Sequence, residues 1–312
     1  MALSFDEALS IVDDYLINPS KYVFPFVIKE KNNRERTIIT YCNNSDGANL
    51  REIHTYIKDH ISPFYSSSKH SFAYKKDNNC LLSTKDHLSS TFFIKLDISS
   101  FFETINEELF LKHYPNLFEN YGRKKRMKKL LKSVFYEGHL SLGYVSSPVI
   151  SDIYLSKFDA TIEKYIKNRK ELHYSRYCDD ILISSSGNNW TDLDMLFEVI
   201  KNELNEYSLV INQKKTQKVE LNNEHHNSIC YLGLNISKSD KGKKNKITIS
   251  KNFILFTLEL LSKYYNNEES DNPFLRNKIL SRVAYIKNNA LPSYKKFLRK
   301  HLNRFDKEYV GI

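Results

Sequence analysis

The residues FFIKLDI at positions 92–98 form a short, nearly continuous apolar run that ends on an aspartate. Such a run is typical of a strand that is buried in the centre of a sheet. A buried strand does not tolerate an unpaired carboxylate, because the ionised group loses its hydration there. Asp97 therefore has to emerge where the strand ends, and we expect it to face a cleft as a candidate site residue.

A second segment, HYSRYCDDILIS at 173–184, alternates into a tight turn and out again. This pattern predicts a β-hairpin. The bend of the hairpin carries Cys178 and two adjacent acids, Asp179 and Asp180. Two acids at one bend need surroundings that tolerate their charge, so they form the second part of the candidate site.

The segments around these acids predict how the acids meet. SSPVISDIYLSKFD at 146–159 predicts a helix, with Ser147 placed to cap it and Pro148 in its first turn. Another helix is expected at 191–204. The order of strand, helix, hairpin and helix is that of a split βαβ sheet, in which the first strand lies beside the hairpin. We therefore expect Asp97 to face the hairpin bend.

Asp97, Asp179 and Asp180 would repel one another unless cations lay between them. The four cysteines are scattered without a CxxC pair, which argues against a zinc site. Mg²⁺ prefers hard oxygen ligands and binds through one or two carboxylates together with substrate phosphates. Two such ions, about 4 Å apart, would activate an attacking hydroxyl group and stabilise a leaving pyrophosphate. The three acids therefore predict a site for two Mg²⁺ ions.

Charge and aromatic content indicate the kind of partner. The 312 residues include 47 Lys and Arg against 37 Asp and Glu, which gives a net charge of +10, and 13% are aromatic. Cations displace the counterions of phosphates and aromatic rings stack on bases, so a nucleic acid suits this balance. Two strands are expected within 22–40, and their connecting turn brings four cations to one hairpin tip: Lys29, Lys31, Arg34 and Arg36.

The rest of the chain predicts mostly helices. Ser4-Phe5-Asp6-Glu7 is a capping box, so an amphipathic helix opens the chain. Residues 104–139 show a helical pattern, and three basic helical segments follow residue 250. No run approaches the roughly 18 apolar residues of a membrane span, and acids occupy the N-terminal stretch where a signal peptide would carry bases. We therefore expect a cytoplasmic protein with no membrane segment.

Five motifs occur in an order that is shared with a known family. They are KLDISSFFETI (95–105), LSLGYVSSPVISDIYLSKFD (140–159), YCDD (177–180), INQKKT (211–216) and YLG (231–233). The chain resembles the prokaryotic reverse transcriptases of the retron-like and defence-associated kind. The resemblance covers residues 20–236, and its motifs are most specific in the palm.

The resemblance implies an α+β fold, that of a right-hand polymerase with fingers, a split βαβ palm and a helical thumb. The fingers, with the N-terminal helix and the hairpin, would comprise residues 1–90. The palm with the catalytic carboxylates would comprise residues 91–236, and the basic helical thumb residues 237–312.

The resemblance also implies roles for acids and their neighbours. Asp97, Asp179 and Asp180 match the ligands of two Mg²⁺ ions, and the first two would be shared between both ions. Lys215 matches a lysine that protonates the leaving pyrophosphate. Tyr177 would pack beneath the hairpin turn, which is equally compatible with an ordinary core tyrosine.

Further matches concern the substrate. Phe102 stands where the family keeps an aromatic residue that crowds the sugar 2′ position and favours deoxynucleotides, although it could be an ordinary core residue. Arg36 and Lys29 would hold the incoming triphosphate, and a solvated hairpin charge is the alternative for each. Gly143 and Ser147 match the glycine and serine that let the pair of template and nucleotide approach the backbone.

Two departures from the family pattern matter. Ser141 and Leu142 stand where the family usually has Pro and Gln, which puts in doubt a hydrogen bond from that Gln to the nucleotide or template. Retron enzymes usually carry Asn-Ala-x-x-His before the first palm block, and here only His87 matches it. Their Val-Thr-Gly motif does not occur. A retron enzyme thus stays open but is not favoured among the defence relatives.

The leading hypothesis is an RNA-directed DNA polymerase that uses two Mg²⁺ ions and copies a structured non-coding RNA in an anti-phage system. Its partners would be that RNA template, a DNA or RNA primer, dNTPs, and an effector protein or further copies of the chain. One alternative is template-independent or protein-primed DNA synthesis by the same fold. Another is a non-catalytic RNA-binding scaffold, which predicts damaged metal ligands, and none is damaged.

Overall fold

A computed structural model of the chain describes residues 3–29, 35–61, 67–118, 124–222, 227–239, 244–265, 272–290, 293, 295 and 297. The chain divides into two compact units. The first comprises Met1–Tyr74, Ile98–Tyr165 and Glu198–Asn212, and the second comprises Lys75–Asp97, Ile166–Phe197 and Gln213–Ile312. The division into fingers, palm and thumb stays a prediction.

Helices and strands are mixed along the chain, which confirms the expected α+β class. In chain order they are α1 (Phe5–Ile17), β1 (Val23–Lys29), β2 (Glu35–Tyr41), α2 (Ser45–Ile61), β3 (Phe92–Asp97), α3 (Phe101–Thr104), α4 (Glu107–His113), α5 (Lys124–Lys132), β4 (Phe135–Tyr136), β5 (His139–Leu140), α6 (Ser147–Tyr154), α7 (Ser156–Ile166), β6 (Leu172–Tyr177), β7 (Asp180–Ser185), α8 (Thr191–Glu206), β8 (Gln217–Glu220), β9 (Ser228–Tyr231), β10 (Leu234–Ser237), β11 (Lys246–Ile249), α9 (Lys251–Tyr265) and α10 (Pro273–Asn289). Among the helices described, none is long and apolar enough to cross a membrane.

The first unit begins as its sequence predicts. The Ser4 hydroxyl accepts a hydrogen bond from the Glu7 N–H at 3.3 Å, and the Glu7 carboxylate accepts one from the Ser4 N–H at 2.8 Å. This reciprocal capping box satisfies two amide groups at the start of α1. Strands β1 and β2 then form the expected antiparallel hairpin. Lys31 and Arg34, at the tip of this hairpin, lie outside the described residues.

A buried aromatic cluster supports strand β2. The Tyr41 hydroxyl lies 2.8 Å from His54 Nδ1 and accepts a hydrogen bond from the Val145 N–H at 3.2 Å. The Tyr144 ring stacks on Tyr41 with 5.4 Å between centroids, and its hydroxyl lies 2.7 Å from that of Tyr15. Burial lowers the pKa of His54 to about 3, so this imidazole is neutral. The cluster therefore joins the loop after β5 to β2.

The helical expectation for residues 104–139 is wrong at its C-terminal end. Strands β4 and β5 pair there as a hairpin. Glu137 and Gly138 have φ angles of 50° and 83°, as a two-residue hairpin turn requires. Because each strand has only two residues, the helical pattern of the preceding segment concealed the turn.

The second unit contains a four-stranded sheet with the order β6-β7-β3-β8. All three neighbouring pairs are antiparallel. β3 lies between β7 and β8, and Phe93, Ile94 and Leu96 are fully buried. This confirms the buried central strand and its place beside the hairpin, as the split βαβ order predicts.

Two helices of the second unit, α9 and α10, pack around an arginine. Asn272 caps α10, since its side chain accepts from the amides of Phe274 and Leu275. The Arg282 guanidinium lies 3.7 Å from the centroid of the Phe253 ring and donates to Thr257 Oγ1 at 2.9 Å. The Arg282 guanidinium therefore joins α10 to α9. The third helical segment falls almost entirely outside the described residues.

Candidate active site

The turn between β6 and β7 consists of Cys178 and Asp179. Asp180 is the first residue of β7, which corrects its expected place on the bend. Cys178 has a φ angle of 60°, the left-handed conformation found in tight hairpin turns. The buried Arg176 donates from Nη1 to the Cys178 carbonyl at 3.2 Å, and this bond holds the turn in place.

The sheet register brings acids from two strands together. Asp97, the last residue of β3, lies directly opposite Asp180. Since side chains alternate between the faces of a sheet, the two carboxylates leave the same face. Asp179 precedes Asp180 in the turn. The structure thus places all three predicted acids, here called the carboxylate cluster (Asp97, Asp179 and Asp180), at one end of the sheet.

The pKa values within the carboxylate cluster reflect burial and mutual repulsion. Burial raises the pKa of Asp180 to about 6, the charge of Lys95 opposes this rise, and Asp179 and Asp97 add to it. Burial also raises the pKa of Asp179, and the charge of Asp97 contributes to that rise. Carboxylates that are hard to ionise next to one another favour the approach of cations.

Two lysines neutralise part of this charge. Lys215 Nζ donates to Asp97 Oδ1 at 2.8 Å. Lys95 Nζ lies 3.7 Å from Asp180 Oδ1. Lys215 was expected at this site from its motif, and the structure places its ammonium group on the acid of β3. Lys95 was not expected, although a single cation within the apolar run FFIKLDI is a signal that could have indicated it.

The donor set suits a hard divalent cation in its chemistry. It consists of carboxylate oxygens, which are the ligands that Mg²⁺ prefers, and two of these oxygens already lie near ammonium groups. Within the part of the chain that the structure describes, no group of three or more His, Cys, Asp or Glu side chains is arranged to hold a metal ion. Metal ligation by the carboxylate cluster therefore stays a prediction.

A buried polar network lies under the hairpin of β6 and β7. His87 Nδ1 is 2.7 Å from the Ser184 hydroxyl on β7, and Nε2 is 2.9 Å from the Ser175 hydroxyl on β6. The Tyr231 hydroxyl donates to the Asp180 carbonyl at 3.2 Å. Tyr177 packs against the same core as Tyr231, and its place beneath the turn stays a prediction. His87 is the one residue that matches the retron motif before the first palm block, and it is fully buried here.

A cavity of about 350 Å³ in the first unit brings two predicted substrate residues together. This cavity, here called the hairpin cavity, lies among β2, α3 and the β4–β5 hairpin. The Phe102 ring is half-buried and meets Phe101 edge to face, with 5.4 Å between centroids. Phe102 therefore packs against a core residue and also faces open space. The walls of the cavity include Arg36, Phe102, Tyr136, His139, Ser141 and Leu142.

Lys29, Gly143 and Ser147 are placed differently from Arg36. Lys29 is 79% exposed and lies 3.8 Å from Glu35, which fits a solvated hairpin charge. Gly143 has a φ angle of 105°, and a Cβ atom there would lie 2.4 Å from the Ile39 carbonyl oxygen. Its lack of a side chain is thus needed for contact with β2. Lys29, Gly143 and Ser147 are not among the residues that line the hairpin cavity.

Ser147 does not cap α6, which is a second correction. The helix begins at Ser147 itself, and the residue before it, Ser146, makes no side-chain cap bond. The Ser147 hydroxyl instead donates to the Ser141 carbonyl at 2.6 Å. It therefore ties the start of α6 to the loop after β5, a contact that local sequence spacing does not reveal.

The strand order, together with acids at the end of the sheet, agrees with the split βαβ palm of the right-hand polymerase fold. Residues 28–236 match the family described as reverse transcriptase (RNA-dependent DNA polymerase). Because this match covers more than half of the 312 residues, the chain belongs to the reverse transcriptase family.

Curated relatives confirm the resemblance to prokaryotic, retron-like enzymes. The chain is 30% identical over 194 residues to the retron Ec83 reverse transcriptase of Escherichia coli, which covers 56% of this chain and 59% of that protein. It is 28% identical over 170 residues to the retron Ec86 reverse transcriptase of the same species, with 54% and 50% covered. The chain thus spans between half and three fifths of the length of these relatives, and it resembles them although the two retron motifs are incomplete or absent.

Solved telomerase structures share the fold. Apo telomerase from Candida tropicalis, truncated from its C-terminal domain, has a TM-score of 0.53 at 13% identity, with 77% of this chain and 59% of that chain covered. Candida albicans telomerase in complex with a TWJ fragment of telomeric RNA has a TM-score of 0.54 at 12% identity, with 96% and 69% covered. At this level of identity the similarity supports the fold alone.

Proposed function

We propose that the chain is an RNA-directed DNA polymerase, which copies RNA into DNA with two Mg²⁺ ions held by Asp97, Asp179 and Asp180. The observation that carries this proposal is the carboxylate cluster at the end of the β6-β7-β3-β8 sheet. Its support is the intact set of acids within a chain of the reverse transcriptase family. A scaffold without activity would not need to keep three partly buried acids that repel one another.

Five of the predicted residues would act in this reaction. When bound, Mg²⁺ would lower the pKa of the primer 3′-hydroxyl and offset charge on the phosphates. Asp97 and Asp179 would bind both ions, and Asp180 one. Lys215 would leave Asp97 and donate a proton to the departing pyrophosphate. Arg36 would bind the triphosphate through charge-assisted hydrogen bonds.

The hairpin cavity supports a preference for deoxynucleotides. Phe102 is an aromatic wall of this cavity, and Arg36 supplies its cation. A bulky ring at the sugar would exclude a 2′-hydroxyl by steric contact. We therefore propose dNTPs as substrates and a DNA or RNA primer, with synthesis in the cytoplasm.

The template is proposed to be a structured non-coding RNA, and the setting a defence system against phage. The names of the retron relatives support a retron-like element, and the net charge of +10 suits an RNA partner. An effector protein or further copies of the chain would complete the assembly.

The deciding experiment is to purify the full chain from its host and to measure incorporation of labelled dNTPs with and without RNase pretreatment. Copying of RNA predicts that RNase removes synthesis, and that one abundant RNA with complementary DNA is recovered with the protein. Synthesis that resists RNase would instead support the template-independent or protein-primed alternative. Nucleic acid binding without synthesis under any of these conditions would support the scaffold.

A further inference from the structure

Lys95 is a cation on an otherwise apolar strand. It lies two residues before Asp97 on β3, so both side chains leave the same face of the sheet. Its register partner on β7 is Leu182, and its ammonium group lies 3.7 Å from Asp180 Oδ1. The Lys95 side chain therefore reaches along the sheet towards the carboxylate cluster.

The two lysines at the cluster are held differently. The Lys215 side chain is 50% exposed and precedes β8, whereas that of Lys95 is 21% exposed. Lys95 also lies on a strand that is paired on both sides, with Leu182 on β7 and Gln217 on β8. Lys215 is thus free to move away when another cation reaches Asp97, while the backbone of Lys95 cannot leave the sheet.

We propose that Lys95 is a positioning residue, which holds Asp180 by an ion pair and sets how tightly the carboxylate cluster takes up divalent cations. The inference rests on the proposed function, because it concerns the same acids. It assigns to Lys95 a task that neither the family motifs nor the sequence pattern assigned.

The ammonium group of Lys95 has two opposite effects at this place. Without metal, it offsets part of the repulsion among Asp97, Asp179 and Asp180, so it stabilises the folded chain. When a divalent cation arrives, the same charge repels the cation and competes for Asp180. Removal of the charge should therefore lower the stability of the metal-free protein and raise its affinity for divalent cations.

The test is the Lys95→Met variant of the full chain, since Met keeps an unbranched stem and removes the charge. Free Mn²⁺ is measured by electron paramagnetic resonance, and Tm is measured in EDTA and in Mg²⁺. We expect the Mn²⁺ dissociation constant to fall roughly three- to tenfold, as for a partly buried charge pair. We also expect a lower Tm in EDTA and a larger rise of Tm on addition of Mg²⁺. Lys95→Arg keeps the charge and should restore wild-type values.

A matched control is Lys218→Met. Lys218 lies on the neighbouring strand β8 and forms its own ion pair with Asp194 at 2.5 Å, with both side chains nearly half exposed. This variant should leave Mn²⁺ affinity and the Mg²⁺ effect on Tm unchanged. If Lys95→Met also leaves both quantities unchanged, the inference is wrong.

Two further variants keep the test decisive. If Lys95→Met does not fold, Asp180→Asn is added, which removes one of the repelling charges; recovery of folding supports the ion pair, and failure to recover overturns it. Asp179→Ala in the Mn²⁺ assay separates the two proposals. Metal binding that survives Asp179→Ala contradicts the proposed function itself, whereas lost binding together with an unaffected Lys95→Met contradicts only the role of Lys95.

Discussion

The carboxylate cluster and the hairpin cavity are built in different ways. The cluster is set by strand register, because Asp97 and Asp180 lie opposite each other on paired strands. The cavity is bounded by side chains from a hairpin strand, a four-residue helix and a loop, among them Arg36 and Phe102. The first arrangement leaves its side chains little freedom, whereas the second depends on how several short elements pack.

The two regions also differ in how charge is balanced. In the carboxylate cluster, acids outnumber the two lysines that reach them, and burial makes each charge more expensive. At the hairpin, Lys29 and Glu35 are largely exposed, so water screens their pair. Loss of a predicted metal ligand in the cluster should therefore lower activity more than loss of a charge on the hairpin. The first two of the four experiments that follow test this ranking.

The largest effect is expected for Asp179→Ala. Loss of a ligand shared by two ions should lower dNTP incorporation by at least about 1000-fold in a primer-extension assay. RNA binding, measured by filter retention, should stay close to wild type because the turn is small. The control is Asp194→Ala, which removes an exposed acid of α8 and should leave incorporation intact. Retained synthesis in Asp179→Ala would refute the assignment of the site.

Arg36→Gln should give the next largest effect. Loss of a charge-assisted hydrogen bond to a phosphate is worth about 1.5–3 kcal/mol, so the KM for dNTPs should rise roughly 10- to 100-fold. Lys29→Gln is the matched comparison on the neighbouring strand, where an exposed ion pair predicts less than a fivefold change, roughly. Steady-state kinetics of both variants measures the difference. Equal increases in KM would show that Arg36 in the cavity contributes no more to dNTP binding than the exposed Lys29.

Phe102→Ala should change the choice of sugar. If the ring crowds the 2′ position, its removal should lower the preference for dNTPs over rNTPs about tenfold, a change of roughly 1.4 kcal/mol. Competition between labelled dNTPs and rNTPs measures this ratio. An unchanged ratio with lowered stability would mean that the contact with Phe101 is the main role of Phe102.

The smallest effect concerns pH. The pKa of Asp180 is raised in the folded protein to about 6 from its usual 3.8, so protonated Asp180 favours the folded state. This contribution to the free energy of unfolding is fully present below pH 3.8 and is lost as pH rises through 6. In EDTA, the free energy of unfolding of Asp180→Asn, relative to that of wild type, should therefore be about 1 kcal/mol higher at pH 8 than at pH 5. Urea unfolding of both proteins at the two pH values measures this gain, and a constant difference would contradict it.

The sequence predicted the elements whose signals are local or strictly periodic. The apolar run of β3 and the alternation of the hairpin indicated that Asp97 would face the hairpin bend, because a split βαβ order places these strands side by side. Ser4 was recognised as a helix cap for a similar reason, since it bonds to the amide of Glu7, three residues further on. In all these cases the partner is close in the chain or set by register.

The features that sequence reasoning missed depend on distant partners. The Ser147 hydroxyl bonds to the Ser141 carbonyl rather than to its own helix. His87 bonds to Ser175 and Ser184, which lie 88 and 97 residues further along the chain. Arg282 of α10 lies against Phe253 of α9, a contact that the charge pattern does not indicate. Charge and motif spacing indicate which residue types are present, but packing decides which partner each side chain finds.

The close approach of Gly143 to β2 has a consequence for building chimaeras. The Ile39 N–H donates to the Leu142 carbonyl at 2.8 Å, and no Cβ atom fits between Gly143 and the Ile39 carbonyl. Strand β2 and the loop after β5 are thus complementary surfaces. A hairpin transplanted from a relative should be accepted only together with its matching loop, so these two distant stretches form one exchangeable cassette.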